Sequence, residues 1–299
     1  MENKKGGRLE LILAMILSGT IGLFVVESGQ PSYNVVFFRC LFGAICLMSY
    51  CKYRNFLNFK SIDKKSMMMI VAGGVAIVAN WALLFESYSH ASISMSTVAY
   101  HTQPLFVVMF ATLFLREKIP SYKWWWIGLA FAGVVLIVNP SEPATNQSDI
   151  IAGVGLALGA AILYAIATLI TKQLKHIKPH LIATIQVSLG VFLLLPLVDF
   201  SVVPVVGNHW YWLFGLGLIH TCFLYILLYS SFQKVSTSTL AVLSYIYPVV
   251  AILVDYMVYD QHLSSTQLVG VFMILAAGLA NNMNINIFML LRPTKSQKV

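Results

Sequence analysis

Two stretches of this chain, 144 residues apart, follow one plan, and that plan restricts the fold more than any other feature. Asn80–Lys118 reads NWALLFESYSHASISMSTVAYHTQPLFVVMFATLFLREK, two apolar runs joined by a short polar elbow at Ser89–Ser92. Gly217–His262 repeats the order of parts: Pro248 answers Pro104, Tyr245 answers His101, Tyr225 answers Trp81, Tyr229 answers Phe85 and Ser231 answers Ser87. Ser236 and Ser238 answer Ser92 and Ser94. The register then slips to 142, with Leu268-Val269-Gly270 matching Trp126-Ile127-Gly128. Each run is about the ~20 residues a helix needs to cross a bilayer. Polar groups inside such helices cost free energy, so each marks a pathway or a partner.

The composition places the whole chain in the membrane. Only 10% of its 299 residues are charged and 59% are hydrophobic, with a mean hydropathy of +0.80, against about 25% charged in a soluble domain. Ten spans are predicted: Leu9–Val26, Tyr33–Cys51, Met67–Tyr88, Ile93–Leu115, Trp124–Val138, Ile150–Thr171, Leu181–Leu197, Trp210–Phe232, Thr237–Tyr259 and Gln267–Ile287. Leu9–Val26 is read as a span rather than a cleaved signal. Tyr122 and Trp124–Trp126 place an aromatic belt at the start of the fifth span. The four cysteines, Cys40, Cys46, Cys51 and Cys222, lack paired spacing and read as packing thiols, with no metal site.

The basic residues set the orientation. With the N terminus inside, 18 of the 19 lysines and arginines fall in segments that alternate spans place in the cytoplasm, and the external loops hold none; this satisfies the positive-inside rule. The remaining one, Arg39, lies within the second span. Both termini are then cytoplasmic, and the plasma (inner) membrane is the expected location. The predicted fold is an all-α membrane protein of ten transmembrane helices in two five-helix repeats, 1–140 and 150–299, joined by an external linker at 141–149. Five spans per half turn the second repeat upside down relative to the first. An inverted repeat around a central cavity offers two similar-energy states open to opposite sides, as in many secondary transporters.

The aromatic-rich third and eighth spans, the Ser-containing elbows, Pro104 and Pro248, Glu117 after the fourth span and the segment PSYNVVFFRCLFGA (Pro31–Ala44) resemble the drug/metabolite transporter superfamily, in its ten-helix EamA-type branch. The resemblance covers essentially the whole chain. It implies two inverted five-helix repeats around a central cavity and carriage of small organic metabolites. Gln261 departs from the glutamate often found there. Glu86 and His101 stand where apolar or small residues are common, which implies a specialised cavity.

The candidate substrate-binding residues are Asn80, Trp81, Phe85, Tyr88, His101, Gln103, Tyr225, Tyr229, Tyr245 and Arg39. Aromatic faces suit amphipathic solutes and ammonium groups. Arg39 cannot lose its charge and needs a carboxylate or carbonyls within the bundle; a structural pair and capture of a substrate carboxylate both fit. Glu86, His101 and Asp255 are the candidates for proton coupling. The bland alternatives are a neutral histidine bonded to a neighbouring helix and a solvated rim carboxylate. His220 reads as structural, and Pro104 and Pro248 as helix-bending residues. Gly73, Gly74, Gly153 and Gly155 read as close-packing positions.

Walker-type loop, zinc spacing and nucleophile elbow are all missing from the sequence, so the chain reads as no enzyme and as needing no cofactor. The expected activity is secondary active transport of a small metabolite, an amino acid or derivative, by alternating access, with protons as a candidate coupling ion. An uncoupled facilitator of a nucleoside-like or cationic metabolite and a membrane-embedded enzyme are the rival classes. The expected partners are the small-molecule substrate and the lipid bilayer, without nucleic acid, and the protein is a monomer or homodimer.

Overall fold

The computed structural model describes residues 2–59, 62–115, 120–138, 147–174, 176–203, 206–232, 234 and 243–286. Among these the chain is helical, with no strand. The helices are α1 (Glu2–Gly19), α2 (Ile21–Glu27), α3 (Ser32–Tyr53), α4 (Lys64–His90), α5 (Ile93–Tyr100), α6 (Gln103–Leu115), α7 (Ser121–Val138), α8 (Gln147–Lys172) and α9 (Pro179–Leu194). After two short 3-10 turns follow α10 (His209–Gly217), a π-helical turn (Leu218–Phe223), α11 (Leu224–Phe232), α12 (Ile246–Tyr259) and α13 (Ser265–Asn282). Glu117, Ser236, Ser238 and the side chain of Tyr229 lie outside the described residues, as does most of the predicted linker.

Among the described residues, seven helical runs are long and apolar enough to cross a bilayer: Lys5–Glu27, Ser32–Tyr53, Lys64–His90, Gln147–Thr171, Pro179–Leu197, His209–Leu228 and Ser265–Asn282. Ser121–Ile137 and Ile246–Tyr259 are apolar but shorter. The predicted fourth span is two helices, α5 and α6, because a turn at His101–Thr102 divides it. A proline has no N–H to offer the carbonyl four residues back, so Pro104 at the second position of α6 favours a break just before it. Pro248 stands third in α12, after a turn at Ser244–Tyr245. Both prolines therefore open a new helix instead of bending a continuous one.

The most extensive helix contacts among the described residues all join the first half to the second: α4 with α8, α7 with α13, α3 with α9, α4 with α9 and α1 with α11. Most have a sequence reason. Backbones approach closely where side chains are small, and α7 crosses α13 at Gly133 and Gly270. Gly153 on α8 lies against the backbone of Ala91, and Gly74 on α4 against Gln186 and Leu189; Gly155 has open space beside it. Buried polar groups fasten the crossings. Asn80 on α4, wholly buried, donates to the Ala160 carbonyl on α8 at 2.6 Å. Gln267 on α13 donates to the Ile137 carbonyl on α7 at 3.3 Å. The four cysteines are free thiols, and Cys40 packs on Gly190.

The elbow at Ser89–Ser92 is held from both sides. Ser92 caps α5, its hydroxyl accepting from the Met95 N–H. Asp255, buried in α12, accepts from the Ser94 N–H at 2.8 Å. A carboxylate in the first turn satisfies an orphan donor and faces the positive end of the helix dipole.

Candidate functional site

A cavity of about 210 Å3 opens where α1, α3, α4, α5, α8, α11 and the two helix breaks converge. Its wall is largely aromatic: Trp81 and Phe85 from α4, Tyr100 and Tyr164 from α5 and α8, Tyr225 and Tyr247 from α11 and α12. Leu11, Met15, Ser18 and Ile21 of the first span also line it. Arg39, His101, Gln103 and Ser244 supply the polar groups. A second cavity of about 350 Å3 shares Trp81, Tyr164, Tyr225 and Leu228 and extends to Thr171 and Pro179 at the α8–α9 connection. On the elbow side, Phe85 also borders a hollow formed with Tyr88, Glu86 and Ser89.

Arg39 is the charged residue of the wall, and only 3% of it is exposed. Its Nε donates to the Thr221 hydroxyl at 2.9 Å and its Nη2 to the His220 carbonyl at 3.3 Å. Both acceptors belong to the π turn. There the wider winding puts the Thr221 hydroxyl on the Leu216 carbonyl and the His220 Nδ1 near the Gly215 carbonyl, five residues back in each case. The His220 Nε2 meets the Thr20 hydroxyl at 3.0 Å, so His220 pins the break between α1 and α2. Gly43 on α3 lets Thr221 approach to contact distance. A π turn is a frequent device at functional sites, and here it presents one side chain and one carbonyl to the arginine.

The guanidinium also lies over the Trp81 ring, 4.4 Å from its centroid, and 5.5 Å from that of Phe85. Stacking of this kind returns about 2 kcal/mol when desolvated, and each hydrogen bond to a charged donor about 1.5–3 kcal/mol. Burial of a cation costs several kcal/mol, so these contacts offset much of the penalty and leave the charge itself uncompensated.

His101 is 3% exposed and sits in the turn between α5 and α6. Its ring packs edge-on against Tyr245 and Tyr247, centroids 5.1 and 5.5 Å away. Neither ring nitrogen closes a hydrogen bond of good geometry; the Ser244 carbonyl, which also accepts from the Tyr247 N–H at 3.3 Å, is within its reach. The two helix breaks, at matched positions in the two repeats, therefore face each other across the cavity wall. The buried Gln103 Oε1 is also unpaired among the described residues.

The remaining sequence candidates are placed as follows. Asn80 is behind the wall, bonded to Ala160 and near the Tyr100 hydroxyl. Tyr88 lies beside Phe85 on the elbow side. Tyr245 faces α13, its hydroxyl accepting from Asn282 Nδ2 at 3.5 Å. Glu86 has 44% of its side chain exposed and is 3.7 Å from His90, whose ring is 3.8 Å from Asp149. Asp255 is engaged at the α5 terminus, away from the cavity. Tyr164, Ser244 and the first-span residues were not foreseen. A lone tyrosine in an apolar span carried no polar cluster to mark it, and the first span offers only ordinary apolar residues.

Seven runs among the described residues able to cross a bilayer, with a small polar-and-aromatic cavity among them, make this a multi-pass membrane protein. It is a member of the EamA-like transporter family, whose model matches residues 6–139 and again 151–283. It is 28% identical over 282 residues to the uncharacterized transporter YxxF of Bacillus subtilis, covering 92% of this chain and 89% of that one. It is 26% identical to the pseudopaline exporter CntI of Pseudomonas aeruginosa (81% and 84% covered). It is 24% identical to an S-adenosylmethionine uptake transporter of Rickettsia bellii (83% and 82% covered). A solved crystal structure 16% identical in sequence superposes with a TM-score of 0.67 over 95% of this chain and 99% of that chain, a likeness of fold.

Proposed function

We propose that this chain is a secondary active transporter that moves a small organic metabolite, an amino acid or a derivative of one, by alternating access. The observation that carries the reading is the cavity itself: an aromatic chamber with a buried arginine and a histidine in its wall, set against a helix break from each repeat. Its 210 Å3 stands near the lower end of ligand pockets, ~300 Å3, which restricts it to a small solute in this state. Relatives named for pseudopaline export and S-adenosylmethionine uptake support an organic solute and cover both directions of movement.

In this reading ten spans form two inverted repeats, 1–140 and 150–299, with the linker 141–149 outside and both termini in the cytoplasm. The second cavity, toward the α8–α9 connection, leads to the cytoplasmic side, and the hollow beside the elbow leads outward. Single cysteines placed in a cysteine-free background test the topology. Ser148→Cys is expected to react with an impermeant external reagent and Lys64→Cys to be protected; the reverse pattern overturns the orientation.

Protons are the proposed coupling ion, with His101 as the leading titratable group because it is the histidine in the cavity wall. Glu86 at the rim and Asp255 at the α5 terminus are the other candidates. The test is accumulation of radiolabelled metabolites in proteoliposomes under an imposed pH gradient. The wild type should accumulate solute, Glu86→Gln should keep most of this, and His101→Gln should equilibrate without accumulating. A gradient without effect on the wild type refutes coupling, and equal accumulation by all three proteins removes both residues from the proton path.

A further inference from the structure

We propose that Arg39 is the anchor for a carboxylate of the transported solute, so that the cavity selects small carboxylates bearing an apolar or aromatic group, zwitterions included, over their neutral or cationic analogues. This rests on the reading of the cavity as the transport site.

The first support is the fate of every acid whose side chain the structure describes. Glu10 is bound to Lys234 and Glu27 receives the Tyr259 hydroxyl. Glu86 and Asp149 flank His90, Asp255 holds Ser94, Asp199 holds Ser201, Asp260 is beside His262, and Asp63 is paired with Ser66 at the start of α4. Among the acids whose side chains are described, then, none neutralises Arg39. A buried cation in the wall of a cavity has its strongest available gain in an anion that enters that cavity.

The second support is the geometry of the fork. A guanidinium has five N–H groups arranged along two edges. Nε and Nη2 form the side edge, and the π turn occupies it through Thr221 and His220. The end edge, made by Nη1 and the second Nη2 hydrogen, has no hydrogen-bond partner among the described residues. Two parallel donors at that spacing match the two oxygens of one carboxylate. The π turn thus orients the arginine and spares the edge that recognises an acid. Trp81 under the guanidinium and the tyrosines beyond it offer flat apolar faces to the remainder of the solute, which is why the acid must be a substituted one.

The experiment uses the full-length protein, purified and reconstituted, with matched probes that differ in one group. They are L-phenylalanine against L-phenylalaninamide and 3-phenylpropionate against 3-phenylpropionamide. Binding is read by intrinsic fluorescence and thermal shift, and movement by flux into liposomes. The wild type is expected to prefer each acid to its amide by about tenfold or more, the scale of a charge-assisted hydrogen-bond pair. Arg39→Gln should bring that ratio close to one, and Arg39→Lys should keep part of it and report on folding. The ratio is the decisive quantity, because a purely structural role of Arg39 lowers binding of both members of a pair together. If acids and amides are taken equally by the wild type, or Arg39→Gln keeps the preference, the anchor is overturned while transport stands. If no probe of any charge binds or moves, while the protein is folded and inserted, the reading of the cavity falls with it.

Discussion

Trp81→Ala is expected to abolish most transport and to destabilise the protein by about 3–5 kcal/mol, the usual cost of removing a large buried aromatic. Trp81 is 6% exposed, lines both the central cavity and the one toward the α8–α9 connection, and lies under the Arg39 guanidinium. Its loss therefore joins two chambers into one, removes the face on which the cation rests and opens a void in the main core. Trp81→Phe separates these effects. It keeps a ring under the arginine and most of the packing, so it should recover insertion and thermal stability with only partial transport. Flux per inserted molecule, measured beside the thermal midpoint in detergent, checks both. Wild-type flux through Trp81→Ala at intact expression would mean that the solute travels elsewhere.

Gly270→Val should prevent a stable fold. A Cβ added at Gly270 would stand 2.6 Å from the Gly133 carbonyl oxygen, and one at Gly133 would stand 2.7 Å from the Gly270 carbonyl oxygen. Overpacking costs about 1–3 kcal/mol when a side chain can yield. Here the obstacle is backbone on both sides, so α7 and α13 must part. The bonds from Gln267 to the Ile137 carbonyl and from Trp126 Nε1 to the Ile285 carbonyl would be lost as they do. A destabilisation above ~3 kcal/mol follows. Gly155→Ala is the control: nothing lies within 4 Å of its added carbon, and alanine gains up to about 1 kcal/mol in helix propensity. Monodisperse elution and midpoint shifts of the two variants should differ in sign.

How much of this was legible in the sequence follows from the physics of each residue. Apolar runs outlined a multi-helix membrane fold. Arg39, His101, Gln103, Trp81, Phe85 and Tyr225 stood out because polar or bulky aromatic groups in a span demand a neighbour, and the structure brings them to one cavity. Tyr88, Tyr245 and Asn80 share those spans but turn to other faces, and facing depends on neighbouring helices that one sequence does not display. The π turn was invisible, since Leu218–Phe223 reads as ordinary helix. The partner sought for Arg39 was a carboxylate or a carbonyl, and the turn supplied a carbonyl and a hydroxyl. Pro104 and Pro248 were expected to bend helices, and they instead begin new ones.

The pairing of helices across the two halves bears on how the molecule comes to exist. The repeat visible in the sequence is a unit of duplication but not a unit of assembly, because α3, α4 and α7 find their principal neighbours in α9, α8 and α13. A chain made from its N terminus inserts those three helices first and must hold them unpaired until the rest arrives. At ~5–20 residues per second, the second repeat takes on the order of ten seconds to emerge. During that interval Arg39 lacks Thr221 and His220, and Asn80 lacks Ala160, so the costliest groups of the protein sit in the bilayer without the partners that make them tolerable. A defect at the interface between halves therefore acts on the assembly of the chain as well as on the finished fold.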